Sequence, residues 1–119
     1  MSTEIIPLRD RLRAAVPIAI KARDRRAASV LRSALAAIDN AEAVEVRGVR
    51  AGAIEMSPLG PGAAECARRE LTEAEIAAIV RGEVEERRAA AVVYAEAGRG
   101  DRAAELAAEA DVLTAHLRA

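Results

Sequence analysis

Apolar residues recur at helical spacing in four stretches of this chain, and most of these stretches carry their own start or stop signal. From Glu4 to Arg23, the residues Ile5, Leu8, Leu12, Ala15, Ala19 and Ala22 fall at steps of three and four, the repeat of one helix face. Pro7 suits a first turn, where backbone N–H groups lack partners in any case. Pro17 removes a hydrogen bond in mid-segment and sets its ring against the Arg13 carbonyl, so a kink or break is expected there. Asp24 reads as the N-cap of a second helix over 25–44, with a stripe at Ala28, Leu31, Leu35, Ile38 and Ala41.

A third helix is expected over 73–97. Thr72-Glu73-Ala74-Glu75 spells a capping box, in which hydroxyl and carboxylate each accept the other residue's N–H, and Leu71 and Ile76 supply the matching hydrophobic staple. Its stripe runs through Ile76, Ile79, Val80, Val84, Arg87, Ala91 and Tyr94, with Gly82 a weak point costing about 1 kcal/mol relative to alanine. Gly98 fits a left-handed stop. Asp101 then reads as the cap of a fourth helix over 102–118, striped by Leu106, Ala110, Leu113 and Leu117. Between helices two and three, Gly48, Gly52, Pro58, Gly60, Pro61 and Gly62 interrupt any period, so 45–71 is expected to be a long flexible connection. The joints near Asp24 and Gly98 are short, which closes each helix pair as an antiparallel hairpin. The expected fold is all-α: a single-domain four-helix bundle built from two antiparallel hairpins joined by a long Gly/Pro-rich loop, with no strand.

Composition sharpens this picture. Alanine supplies 31 of 119 residues and Tyr94 is the only aromatic, so the core must be aliphatic, with alanine letting helices approach closely. Net charge is −1, but residues 1–32 hold eight basic groups against three acidic ones, and the remainder is correspondingly acidic. Such a basic half meets either nucleic-acid phosphates or acidic helices, its own or those of a second copy. Lys21, Arg25, Arg26 and Arg32 are the densest basic positions. Without aromatic platforms beside them, contact with nucleic acid would follow the backbone rather than stack on bases.

Candidate chemistry is sparse. Di-metal bundles need Glu-x-x-His pairs, whereas His116 is the one histidine and has no carboxylate three residues before it. Cys66 and His116 are a lone thiol and a lone imidazole, too few for zinc. His116 reads as a half-buried residue near a helix C-terminus, where the dipole favours a cation. Ser29 and Ser33 read as ordinary polar positions, Cys66 and Ser57 as loop residues, and Glu83, Glu85 and Glu86 beside Arg87 and Arg88 as a solvated, ion-paired face. No catalytic residue, metal or cofactor is expected. Cys66 has no disulfide partner, no leader opens the chain and no apolar run approaches the roughly 20 residues of a membrane span. The expected protein is cytoplasmic and free of the membrane.

The order of several short motifs resembles the GatB/YqeY family. Members show an Ala-(Met)-Lys-x-x-Asp turn, then Leu-Arg, then Ala-Ile-x-Asn-x-Glu, a variable loop, a Leu-Thr/Ser-x-x-Glu helix start, and a Gly-Arg-x-Asp turn. This chain has Ala19, Lys21 and Asp24; Leu31-Arg32; Ala37-Ile38-Asp39-Asn40-Ala41-Glu42; Leu71-Thr72-Glu73-Ala74-Glu75; and Gly98-Arg99-Gly100-Asp101. Where the family commonly has Tyr-Leu-Pro, this chain has His116-Leu117-Arg118. The family's C-terminal tail subdomain, similar to the tail of the amidotransferase B subunit and thought to contact tRNA, is therefore expected to be missing. Pro17 interrupts a helix that relatives usually keep intact.

The resemblance implies a link to glutamine-dependent amidation of misacylated tRNA, and the family label implies a carbon–nitrogen ligase with glutamine as amido-N-donor. The chain lacks a serine–lysine amidase constellation and a nucleotide loop. The expectation is a noncatalytic accessory or partner-binding module whose partner is tRNA or a tRNA-amidation complex. A self-associating homo-oligomer with no tRNA role and a small enzyme built on the loop are the alternatives. Motif positions add Asn40 and Arg99 to the basic cluster, so the candidate nucleic-acid or partner-binding residues are Lys21, Arg25, Arg26, Arg32, Asn40 and Arg99.

Overall fold

The computed structural model describes residues 5–56 and 70–118, with side chains placed at 5–44 and 70–118. The described residues form α1 (Leu8–Lys21), α2 (Arg25–Met56), α3 (Glu73–Glu96) and α4 (Gly100–Arg118), with no strand among them. The all-α class and the two-hairpin bundle are as expected. Several boundaries differ.

Helix α1 starts after Pro7 rather than at Glu4. Pro7 is extended, with ψ 146, and supplies no side-chain cap; Ile5, placed on the expected stripe, stands 88% exposed. The cap comes instead from another helix, because the Leu8 N–H donates to Glu73 Oε1 at 2.6 Å. No break occurs at Pro17, and α1 continues through it to Lys21. Pro17 and Arg13 both lie on the exposed side, where water can satisfy the Arg13 carbonyl that proline leaves without a donor.

The two joints share one backbone geometry. After α1, the Arg23 N–H donates to the Ile20 carbonyl and the Asp24 N–H to the Ala19 carbonyl; after α3, Gly98 donates to Ala95 and Arg99 to Tyr94 in the same pattern. Both are Schellman stops, in which the residue after the cap turns left-handed. That residue is Arg23 (φ 59) at the first joint and Gly98 (φ 77) at the second. Asp24 then caps α2 as expected, its Oδ1 accepting the Ala27 N–H at 3.0 Å. At the second joint the expected cap is misplaced. Helix α4 begins at Gly100, the Ala103 N–H donates to the Arg99 carbonyl, and Asp101 sits inside the first turn, where its charge complements the helix dipole.

Helix α2 runs to Met56, past the Val44 expected, so the first part of the expected connection is helical. Gly48 and Gly52 weaken a helix by about 1 kcal/mol each without ending it. The rest of the connection, 57–69, lies outside the described residues.

In α3 the capping box is formed on both sides. The Glu75 N–H donates to Thr72 Oγ1 at 3.1 Å, and the Thr72 N–H to Glu75 Oε1 at 3.2 Å. Leu71 packs on the same core that buries Ile76.

The core joins all four helices through Leu8 and Leu12 of α1, Val30, Leu31 and Ile38 of α2, Ile76, Val80 and Val84 of α3, and Ala110 and Leu113 of α4. Ala27, Val30 and Ala34 widen the α2 stripe beyond the expected one, because α2 touches each of the other three helices. The ion-paired face expected at Glu83 and Arg87 is paired but not solvated: their side chains are only 20% and 14% exposed, and Arg87, which also falls on the α3 stripe, bridges Glu83 to Glu109 of α4 at 3.1 Å each.

Candidate functional site

The first joint carries the basic cluster, and its local fold explains the exposure. Helix α1 buries Leu8, Leu12 and Ala19 and α2 buries Ala27, Ala28, Val30, Leu31 and Ala34. The intervening residues Lys21, Arg23, Arg25, Arg26 and Arg32 are thereby left on the outside, all exposed. Among the described residues none of these five makes an ion pair. The basic groups that do pair lie elsewhere: Arg9 with Asp39 and Glu42, Arg13 with Asp10, Arg87 with Glu83 and Glu109, and Arg102 with Glu105 and Glu109. The expectation that the basic half meets the protein's own acidic helices therefore holds for Arg9, while the basic groups of the joint pair with no carboxylate among the described residues.

A groove of about 750 Å³ opens at this joint. Arg23, Arg25 and Arg32 line it with the hydroxyl-bearing Ser29 and Ser33, the apolar Ile20, Ala28 and Ala36, and Asp24. Of the candidate residues, Arg25 and Arg32 are thus brought together. Lys21 and Arg26 adjoin lining residues in sequence without lining the groove. Asn40, exposed, lies one turn beyond Ala36 on the same face of α2. Arg99 belongs to the second joint, with its guanidinium carbon 5.9 Å from the centroid of the Tyr94 ring, within cation–π range. Arg23 and the two serines were not among the candidates. The signal for Arg23 was its place in the joint, equivalent to that of Gly98.

Electrostatics at the opposite end of α1 are structural. Arg9 Nη2 lies 2.6 Å from Glu42 Oε1. This hydrogen bond holds the Glu42 carboxyl below the ordinary carboxylate range and raises Arg9. Arg11 donates to the His116 carbonyl at 2.8 Å. His116 is half-buried as expected, but burial first and the Arg11 charge second push its pKa down, so the neutral imidazole is favoured rather than the cation. No three His, Cys, Asp or Glu side chains among the described residues come together as a metal site would require. No helix among them is long and apolar enough to cross a membrane.

Residues 63–118 match the family model described as Yqey-like protein. That segment includes all of α3 and α4 with both of their turn motifs, so the resemblance read from Leu71–Glu75 and Gly98–Asp101 is borne out there. No curated protein and no solved structure matches the chain.

Proposed function

We infer that this small helical protein with a YqeY-like region is a noncatalytic accessory module that binds tRNA, alone or within a tRNA-amidation complex, through its first joint. The observation carrying this reading is the set of five exposed basic residues from Lys21 to Arg32 that make no ion pair among the described residues. Guanidinium groups on a hydrogen-bonded turn with no ion pair among the described residues are set to neutralise phosphates without first breaking such a pair. The YqeY-like segment supports the link to tRNA amidation by family resemblance.

The noncatalytic part rests on geometry. Acyl transfer from glutamine needs a nucleophile with a base in reach and donors for an oxyanion. Ser29 and Ser33 face the groove, while the one imidazole, His116, packs near the start of α1. Cys66 lies outside the described residues.

The test is fluorescence anisotropy of labelled tRNA across a salt series. The expected result is weak binding whose log K falls linearly with log salt. Reversing Arg25 and Arg26 to glutamate abolishes it while the helical circular dichroism signal stays intact. The same preparation, given glutamine, ATP and misacylated tRNA, releases no ammonia. Unchanged affinity in the double reversal would move the site to another surface, and glutamine turnover would overturn the noncatalytic reading. Self-association is the second reading, favoured by the exposed Ile18 and Ile20 on α1; a dimer in sedimentation equilibrium that binds no tRNA would establish it.

A further inference from the structure

We propose that the groove at the first joint is a phosphate site, taking one phosphodiester of an RNA backbone between Arg23, Arg25 and Arg32, with Ser29 and Ser33 as hydroxyl donors. The proposal rests on the tRNA reading above and specifies its point of contact.

The backbone carries the first part of the argument. Both joints make the same Schellman turn, and the left-handed position is filled by Gly98 in one and Arg23 in the other. Glycine adopts this conformation without a steric penalty, whereas a Cβ meets the following carbonyl. The fold therefore tolerates a strained arginine where glycine would make the same turn. Strained positions of this kind cluster at functional sites. Here the residue lines the groove.

Groove chemistry carries the second part. Three arginines line it against one acidic residue, Asp24, and Asp24 Oδ1 already accepts the Ala27 N–H. Planar guanidinium forks match phosphate oxygens two at a time. The volume, about 750 Å³, exceeds what a bare phosphate fills and lies within the range of small-ligand sites. Ile20, Ala28 and Ala36 offer an apolar wall for the adjoining sugar. No aromatic residue lines the groove, so the base is left unread and the site is indifferent to sequence.

Two variants test this against labelled tRNA. Arg23→Gly removes a groove cation and relieves the turn, so the melting temperature should hold or rise while affinity falls about tenfold, as loss of a charged hydrogen bond gives. The slope of log K against log salt should shrink by about one. Arg32→Gln, on an exposed face of α2 away from the turn, should show the same loss of affinity and slope. Arg81→Gln, an exposed arginine of α3, should change neither. Wild-type protein that shows no salt-dependent tRNA binding would overturn the tRNA reading and this proposal with it. Wild-type binding that survives undiminished in both Arg23→Gly and Arg32→Gln would overturn the groove alone.

Discussion

Replacing Thr72 with alanine should loosen both hairpins at once, although Thr72 belongs to only one of them. Thr72 is exposed, so the change removes no buried surface and its effect comes from the cap. Loss of a threonine N-cap costs about 0.5–2 kcal/mol. For 119 residues, an unfolding entropy of about 2.1 cal/mol/K per residue turns each kcal/mol into roughly 4 °C of melting temperature. A fall of about 2–8 °C is therefore expected. The same first turn of α3 holds Glu73, whose carboxylate accepts the Leu8 N–H that opens α1. Fraying at Thr72 should thus be felt at Leu8, far away in sequence. Thermal denaturation gives the magnitude, and amide hydrogen exchange by NMR gives the location, with faster exchange at both Glu75 and Leu8. Thr72→Ser keeps the hydroxyl and should restore both. If Thr72→Ala melted within error of wild type, the capping box would contribute nothing. If Glu75 exchanged faster while Leu8 did not, the link between hairpins through Glu73 would be refuted.

Gly82→Ala should stabilise the protein by about 0.5–1 kcal/mol, read as a rise of a few degrees in melting temperature, because a Cβ at Gly82 in mid-α3 meets nothing within 4 Å. Glu42→Gln should flatten the acid limb of the stability curve. The folded pKa of Glu42 lies below its unfolded value of 4.5, so its contribution is complete above about that pH and is lost as pH falls through the folded value. Urea denaturation from pH 7 to pH 3 checks this, and parallel curves for wild type and variant would show that the Arg9 hydrogen bond leaves stability unchanged.

What could be read from the sequence was local. The capping box joins residues three apart, and the Gly98 stop and the Asp24 cap likewise act within one turn, so each could be recognised from residue types alone. Long-range polar contacts left no such trace. The Arg11 bond to the His116 carbonyl spans 105 positions and the Glu73 cap on Leu8 spans 65; nothing at either residue announces its partner. The sequence expectation stops α2 short because glycine resembles punctuation, yet Gly48 and Gly52 only lower helix propensity and α2 runs through both. The basic cluster was legible as charge and as family motif positions. Its most unusual member, Arg23, was not, since a left-handed residue is recognised in sequence by being glycine.

The two joints make the clearest case for a division of labour within the bundle. Their backbones are equivalent, so the difference between them lies in side chains alone. At the second joint, glycine takes the strained position and Arg99 turns onto Tyr94. In the same hairpin, Arg87 pairs with Glu83 and ties α3 to Glu109 of α4, while Arg102 pairs within α4 with Glu105 and Glu109. Most of the charge there is consumed internally. At the first joint the strained position holds an arginine, and its neighbours Lys21, Arg25, Arg26 and Arg32 pair with no carboxylate among the described residues. Were stability the only demand, the glycine solution would serve at both joints, and charge repulsion among five cations would argue for pairing or removal. Keeping strain and repulsion at one joint, while the other has neither, supports the anionic partner proposed above for the first joint.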